Sequence, residues 1–223
     1  MKINRAAALR YMGHFGEADE RIMAVMDECE KGLLESAKPR YIYRVFDVLR
    51  ENNTLSLKGC GFTLEGRDIS QHIAGCEKAA VLAVTLSADA DRFLRKQSLE
   101  DGLKGLASDA MASVLAEEVS EQARRAIIEN MRGYSATWCY AAGYGDFPLS
   151  AVRALLQCVD APRKIGVNCT ASDMLTPQKS IVGIIGLSVN KVSGKVRGCA
   201  GCNMRKNCAY RKSGAGTCRN EVV

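Results

Sequence analysis

The sequence is poor in the residues and motifs that most often settle a function. It has two histidines, one tryptophan and four prolines in 223 residues, and aromatic residues make up 6%. His14 and His72 stand far apart in sequence, and no HExxH pair occurs. There is no Walker loop, no GxGxxG after a strand and no GxSxG elbow. The usual signatures of P-loop, dinucleotide-binding and α/β-hydrolase proteins are therefore excluded. Long apolar runs are missing too. AAVLAV (79–84) and IVGIIGLSV (181–189) are too short to span a bilayer. The start, MKINRAAALRYMGHFG, has basic residues but not the apolar core of a secretory signal. The expectation is a cytoplasmic protein without a membrane partner.

What is present is cysteine and an uneven charge. The chain has ten cysteines, which in a reducing compartment are expected to be thiols or metal ligands, not disulfides. Net charge is +6, but eight Lys/Arg and one acid fall between Lys191 and the end. That segment carries +7 and leaves the body near −1. Hydrophobic residues make up 47%, enough for a sizeable core that needs no metal to fold. Two regions are expected: a body, 1–190, and a basic Cys-rich tail, 191–223.

Within the body, 17–37 has helical spacing at Ile22, Met26, Cys29 and Leu33 before Pro39. Arg40–Glu51 reads as a second helix, and 54–66 as a hairpin or two short strands. Asp68–Cys76 reads as a short helix, 79–86 as a buried strand and Ser87–Lys96 as a helix. Ser98–Met131 reads as the longest helix. Ser98 and Asp101 resemble a capping box, and Glu121 and Arg125 form a supporting pair. Residues 134–145 read as extended before two glycines, 146–159 as a helix with Pro148 in its first turn, 164–170 as a short strand and 180–189 as a buried strand. This mixture gives an α+β class with short, mostly antiparallel strands.

The stretch GYGDFP (143–148) and the later CTASDMLTPQKSIVGIIGLS (169–188) resemble the activation domain of cobalamin-dependent methionine synthase. Gly143, Tyr144 and Pro148 match its Arg-x-x-x-Gly-Tyr-Pro-Ala-Cys-Pro stretch. Thr170, Ser172, Pro177, Ser180 and Gly183 match its Thr-Glu-Ser…Pro…Ser…Gly pattern. LRYMGHFGEADERI (9–22), GRDISQHIAGCEKAAVLAVTL (66–86) and SDAMASVLAEEV (108–119) resemble its free-standing bacterial relatives. The resemblance covers roughly residues 1–190. The Asp-x-His-x-x-Gly stretch of cobalamin carriers is absent, so any corrinoid would come from a partner. The resemblance implies an activation-domain-like fold and reductive reactivation of a corrinoid methyltransferase, with S-adenosylmethionine as methyl donor. The implied partner is a corrinoid methyltransferase or methionine synthase lacking its own activation domain, with an electron-donor protein. Gly143, Tyr144, Gly145, Asp146, Thr170 and Ser172 are the implied ligand-binding residues; no catalytic residue is assigned.

The residues themselves allow this. Two glycines ahead of a helix start can open backbone N–H groups to a carboxylate. They can equally make only a strand-to-helix turn, with Tyr144 in the core. Two positions depart from the family: Cys139 stands in place of its Arg, and Ala171 in place of its Glu. A thiol supplies no bidentate cation, which leaves Arg132 or Lys179 for that task, or a protein that has lost the ligand. The alternative function is then a non-catalytic corrinoid-protein partner or zinc-binding adaptor. Cys139 itself reads as a buried small hydrophobe.

The tail sets Cys199, Cys202, Cys208 and Cys218 at the spacing x2, x5, x9. Four thiolates suit an iron–sulfur cluster or zinc. The irregular spacing favours the cluster, as 4Fe–4S, over zinc, and a cluster could relay an electron. Idle thiols on a basic tail are the bland alternative. Nucleic-acid binding is disfavoured because the tail has one aromatic, Tyr210.

Overall fold

The computed structural model describes residues 2–14, 18–51, 54–192, 194 and 206–207. In chain order the elements are α1 (Arg5–Tyr11), α2 (Glu20–Ser36), β1 (Arg40–Glu51), β2 (Thr54–Leu57), α3 (Arg67–His72), β3 (Lys78–Thr85), α4 (Ala88–Glu100) and α5 (Gly102–Asn130). Then follow β4 (Ser135–Ala136), β5 (Tyr140–Ala141), α6 (Ala151–Cys158), α7 (Ala161–Ile165), β6 (Asn168–Cys169), β7 (Leu175–Thr176) and β8 (Ser180–Ser188). One antiparallel sheet runs β2-β1-β3-β8-β4, with β5 also pairing β8. The class is α+β.

The sheet is buried on both faces. On β3, Ala80, Leu82 and Val84 face one core, while Ala79, Val81 and Ala83 face a second. β8 repeats the arrangement, with Ile185 and Leu187 toward the first and Val182 and Ile184 toward the second. Alternating side chains point to opposite faces, so two covered faces require a continuous apolar run. Each fully buried Leu or Ile here contributes about 1.5–3 kcal/mol. The first core is closed by α1, α2, α4 and α5; the second by α3, α6 and α7.

Arg40–Glu51 is a strand, not a helix. β1 pairs with β3 from Arg40↔Thr85 to Asp47↔Lys78 and with β2 from Val48↔Leu57 to Glu51↔Thr54. Its Tyr, Ile, Val and Phe residues suit a pleated surface. Ile42, Phe46 and Val48 pack on the second core, and Tyr43 and Val45 on the first. The stretch 54–66 supplies β2 and a single bridge, Ser56↔Thr63.

The long helix starts later than its sequence suggests. Asp101 is its N-cap and accepts from the N–H groups of Leu103 (2.8 Å) and Lys104 (3.0 Å). Ser98 remains in α4, where its hydroxyl donates to the Leu94 carbonyl. Gly105 permits the tight α4–α5 corner, since a Cβ there would lie 2.8 Å from Ser98 Cα. The pairs on α5 are Glu121–Arg124 and Glu118–Arg125, not Glu121–Arg125. Buried Ala107, Ala110 and Ala112 lie in the first core, as small residues on a closely packed helix should. Among the described residues, no helix is long and apolar enough to cross a membrane.

Candidate functional site

The face closed by the short helices carries the body residues singled out by the resemblance. β5 lies beside β8 in the register Tyr140↔Ile184 and Ala141↔Gly183. Gly183 is needed there, because a Cβ would lie 2.6 Å from the Tyr140 carbonyl oxygen and 2.8 Å from Cys139 Sγ. Strand alternation sends Cys139 against the first core and Tyr140 into the second. Cys139 therefore points to the opposite side of the sheet from Tyr140.

After β5 the chain folds into an exposed turn. Tyr144 N–H donates to the Ala141 carbonyl, Gly143 N–H to Phe147 and Phe147 N–H to Tyr144, at 2.9–3.2 Å. The N–H groups of Gly143 and Tyr144 are thus spent within the turn rather than open to a ligand. Gly143 and Gly145 have φ of 88° and 57°, the region that favours glycine. Gly145 also lies against neighbouring groups: a Cβ would land on Asp68 Oδ2 and 2.6 Å from the Tyr140 hydroxyl. Residues 143–146 are exposed, and α6 begins only at Ala151, after a turn through Pro148 and Leu149.

Asp146 braces this turn on α3. Its two carboxylate oxygens accept from Arg67 N–H (2.8 Å) and Asp68 N–H (2.9 Å), the first N–H groups of that helix. Gly66, at φ 119°, allows the approach; a Cβ there would lie 2.8 Å from Asp146 Oδ1 and 2.9 Å from its carbonyl oxygen. The Tyr140 hydroxyl donates to Asp68 Oδ2 at 3.5 Å. Burial first, then the nearby Asp68 and Asp146 carboxylates, pushes the Tyr140 phenol up to about 12, so it stays protonated.

An aromatic cluster lies under the turn. Buried His72 meets Trp138 edge-on and Tyr140 at a tilt, both at 4.8 Å between ring centres. Tyr144, 43% exposed, lies 6.0 Å from Tyr140 and 6.4 Å from Trp138. His72 Nε2 is 2.8 Å from the Trp138 carbonyl, which can only accept, so Nε2 carries a proton. Gly194 lies against the same ring, since a Cβ there would come 2.7 Å from His72 Cε1.

Thr170 and Ser172 occupy the loop of the β6–β7 hairpin, where Asn168 pairs with Thr176 and Cys169 with Leu175. Their hydroxyls are 3.0 Å apart, and Thr170 Oγ1 also accepts from Met174 N–H. Both residues and Ala171 are exposed. Arg153, in the first turn of α6, holds this loop through Nη2, which donates to the Thr170 carbonyl at 3.0 Å and meets Asp173 Oδ1 at 3.4 Å. Of the two cations proposed to replace the family's Arg, Lys179 is committed elsewhere. It binds Asp109 at 2.8 Å and Ser113 at 3.0 Å on α5. Arg132 is exposed just past the end of α5.

Asp68, His72, Trp138, Tyr140 and Arg153 are neighbours of the site that sequence reasoning missed. Asp68 and His72 come within reach of Tyr140 and Trp138 across more than sixty residues, and no local spacing signals that. Cys199, Cys202, Cys208 and Cys218 lie outside the described residues. Among the described residues, no group of three or more His, Cys, Asp or Glu is placed to hold a metal ion.

No protein-family model and no curated protein matches the sequence. Among solved structures, the fold is similar to that of the MetH reactivation domain bound to AdoHcy. The TM-score is 0.54 at 14% sequence identity, over 88% of this chain and 73% of that one. The likeness establishes the architecture: the mixed helices and antiparallel strands match the fold of that reactivation domain.

Proposed function

We propose that this protein serves the reductive reactivation of a corrinoid-dependent methyltransferase and binds S-adenosylmethionine between the Gly143–Asp146 turn and the Thr170–Ser172 loop. The observation that carries this reading is the exposed turn braced on α3, in a fold similar to a reactivation domain whose structure holds AdoHcy. Adenosylmethionine has a cationic sulfonium, an amino-acid end and an adenine. Asp68 offers a carboxylate under Gly145, and Tyr144 offers an aromatic face to the adenosine or to the partner's corrin. Asp146 and Gly66 hold the turn in place, and Gly183 lets β5 lie close enough to present it.

A corrinoid supplied by the partner would be the group reduced and methylated, with the adenosylmethionine sulfonium giving up its methyl group and leaving as S-adenosylhomocysteine. In this reading Cys199, Cys202, Cys208 and Cys218 would hold a 4Fe–4S cluster, which would supply one-electron chemistry. The donor set fits such a cluster, and it also fits zinc, which has no redox chemistry. Iron and sulfide in anaerobically prepared protein are expected, with absorbance near about 400 nm. Stoichiometric zinc in colourless protein removes the relay.

A second reading is a corrinoid-protein partner or zinc-binding adaptor that has lost the ligand. It is favoured by Cys139, which packs on the far core and supplies no cation. Calorimetric titration separates the two. Saturable binding of adenosylmethionine is expected, and no binding up to millimolar ligand overturns the methyl-donor role.

A further inference from the structure

We propose that Arg153 is the residue that binds the carboxylate of the adenosylmethionine amino-acid end, an inference that rests on the ligand reading above. That carboxylate calls for a cationic donor, and Cys139, where the resemblance places one, faces the opposite side of the sheet. Lys179 is held by Asp109 and Ser113 on α5. Arg153 follows the first candidate stretch in the chain and touches the second. The Gly143–Asp146 turn leads through Leu149 into α6, and a Cβ on Gly143 would touch Leu149 Cδ1 at 3.3 Å. Three residues into that helix, Arg153 reaches the Thr170 carbonyl and Asp173.

The geometry leaves donors of this guanidinium available. Both contacts are made by Nη2, and among the described residues Nε and Nη1 of Arg153 donate to nothing. A guanidinium has five N–H donors, so at least three remain. The side chain is 51% exposed, which leaves the unused donors accessible to solvent and ligand. The Thr170 carbonyl and Asp173 fix the guanidinium in advance, so less side-chain freedom is lost on binding. Arg67, at the first position of α3, is exposed and has no described side-chain partner to hold it. It is the rival.

Calorimetry with two ligands and four proteins tests this. Wild type is titrated with adenosylmethionine and with decarboxylated adenosylmethionine, then R153Q, R153K and R67Q are treated alike. R153Q should weaken adenosylmethionine about 10- to 100-fold, the worth of hydrogen bonds to a charged group. It should leave the decarboxylated ligand unchanged, while R153K loses less and R67Q nothing. Wild type itself should prefer adenosylmethionine over its decarboxylated form by a similar factor, a comparison that needs no variant to fold. Equal weakening of both ligands in R153Q, no weakening of either, or loss in R67Q instead would overturn the assignment. A wild type that binds neither ligand defeats the adenosylmethionine reading before any variant is made, so the two failures are distinct.

Discussion

Asp146→Ala isolates the joint on which the candidate turn depends. The carboxylate spans the first two N–H groups of α3, at 2.8 and 2.9 Å, and α3 has six residues. No side chain on Gly66, its N-cap position, can take over. Losing an N-terminal cap costs about 0.5–2 kcal/mol, and an anion at a helix start adds about 0.3–1 kcal/mol. Asp146 supplies two bonds where an ordinary cap supplies one, but it is exposed to solvent. The expected loss is about 1–2 kcal/mol, which for a chain of this size lowers Tm by about 2–8 °C. Asp146→Asn keeps one good acceptor and should lose about half as much. Urea denaturation followed by far-UV circular dichroism measures both. A loss for Asp146→Ala within about 0.5 kcal/mol, the ordinary range for a surface substitution, would refute the view that this carboxylate anchors the turn. An Asn variant as damaged as the Ala variant would assign the whole effect to the charge and the second acceptor, and an undamaged Asn variant to a single neutral acceptor.

Gly66→Ala should cost about 1–3 kcal/mol, since its φ of 119° suits glycine and a Cβ would press on Asp146; its effect should fall short of additive with Asp146→Ala in a double-mutant cycle. Gly183→Ala should also cost about 1–3 kcal/mol, because its Cβ would meet the Tyr140 carbonyl oxygen at 2.6 Å, and a stable variant with unaltered Trp138 emission would contradict the close β5–β8 approach. The single tryptophan, Trp138, sits 6.4 Å from Tyr144, so adenosylmethionine should change its fluorescence and Tyr144→Ala should abolish the change. Glu77 is held below the usual carboxylate range by its own backbone N–H first, with Ser188 and Val189 also donating. Its contribution is therefore full above the unfolded value near 4.5 and lost as pH falls through the lower folded value. Between pH 3 and 6, Glu77→Gln should flatten the fall in stability, and parallel profiles would count against this.

Much of the fold is legible because single residues obey one dominant period. α2 shows its buried stripe at Met26, Cys29 and Leu33, and β3 and β8 show the unbroken apolar runs of strands covered on both sides. β1 misleads for the same physical reason. Ile42, Val45, Phe46 and Leu49 fall at helical spacing because a strand with partly covered faces carries apolar residues at both parities. Its β-branched and aromatic content was the better guide. At the site, the sequence indicates the turn but not its bracing. Gly66, Asp68 and Asp146 form one joint across some eighty residues, and Arg153 joins α6 to the hairpin across about twenty. Such contacts exist only once the sheet has brought the elements together.

The two faces of the sheet divide the labour. The α1, α2, α4 and α5 face is built from regular helices and buries a continuous apolar cluster. The opposite face is covered by α3, α6 and α7, of six, eight and five residues, with long connections between them. Short helices bury little and leave many end groups to be satisfied by side chains. This is why Asp146 caps α3 from a distant turn and Arg153 reaches a hairpin carbonyl, and why positive-φ glycines gather at positions 66, 143 and 145. The same incomplete cover exposes Tyr144, Leu149 and Met174. An exposed turn that keeps one shape must be held in place without being buried. Stabilising helices on the far side supply the rigidity, so the near side can keep its donors and rings at the surface. Repacking the first core should therefore change stability with little effect on ligand affinity, whereas changes at Asp146 or Gly66 should alter both.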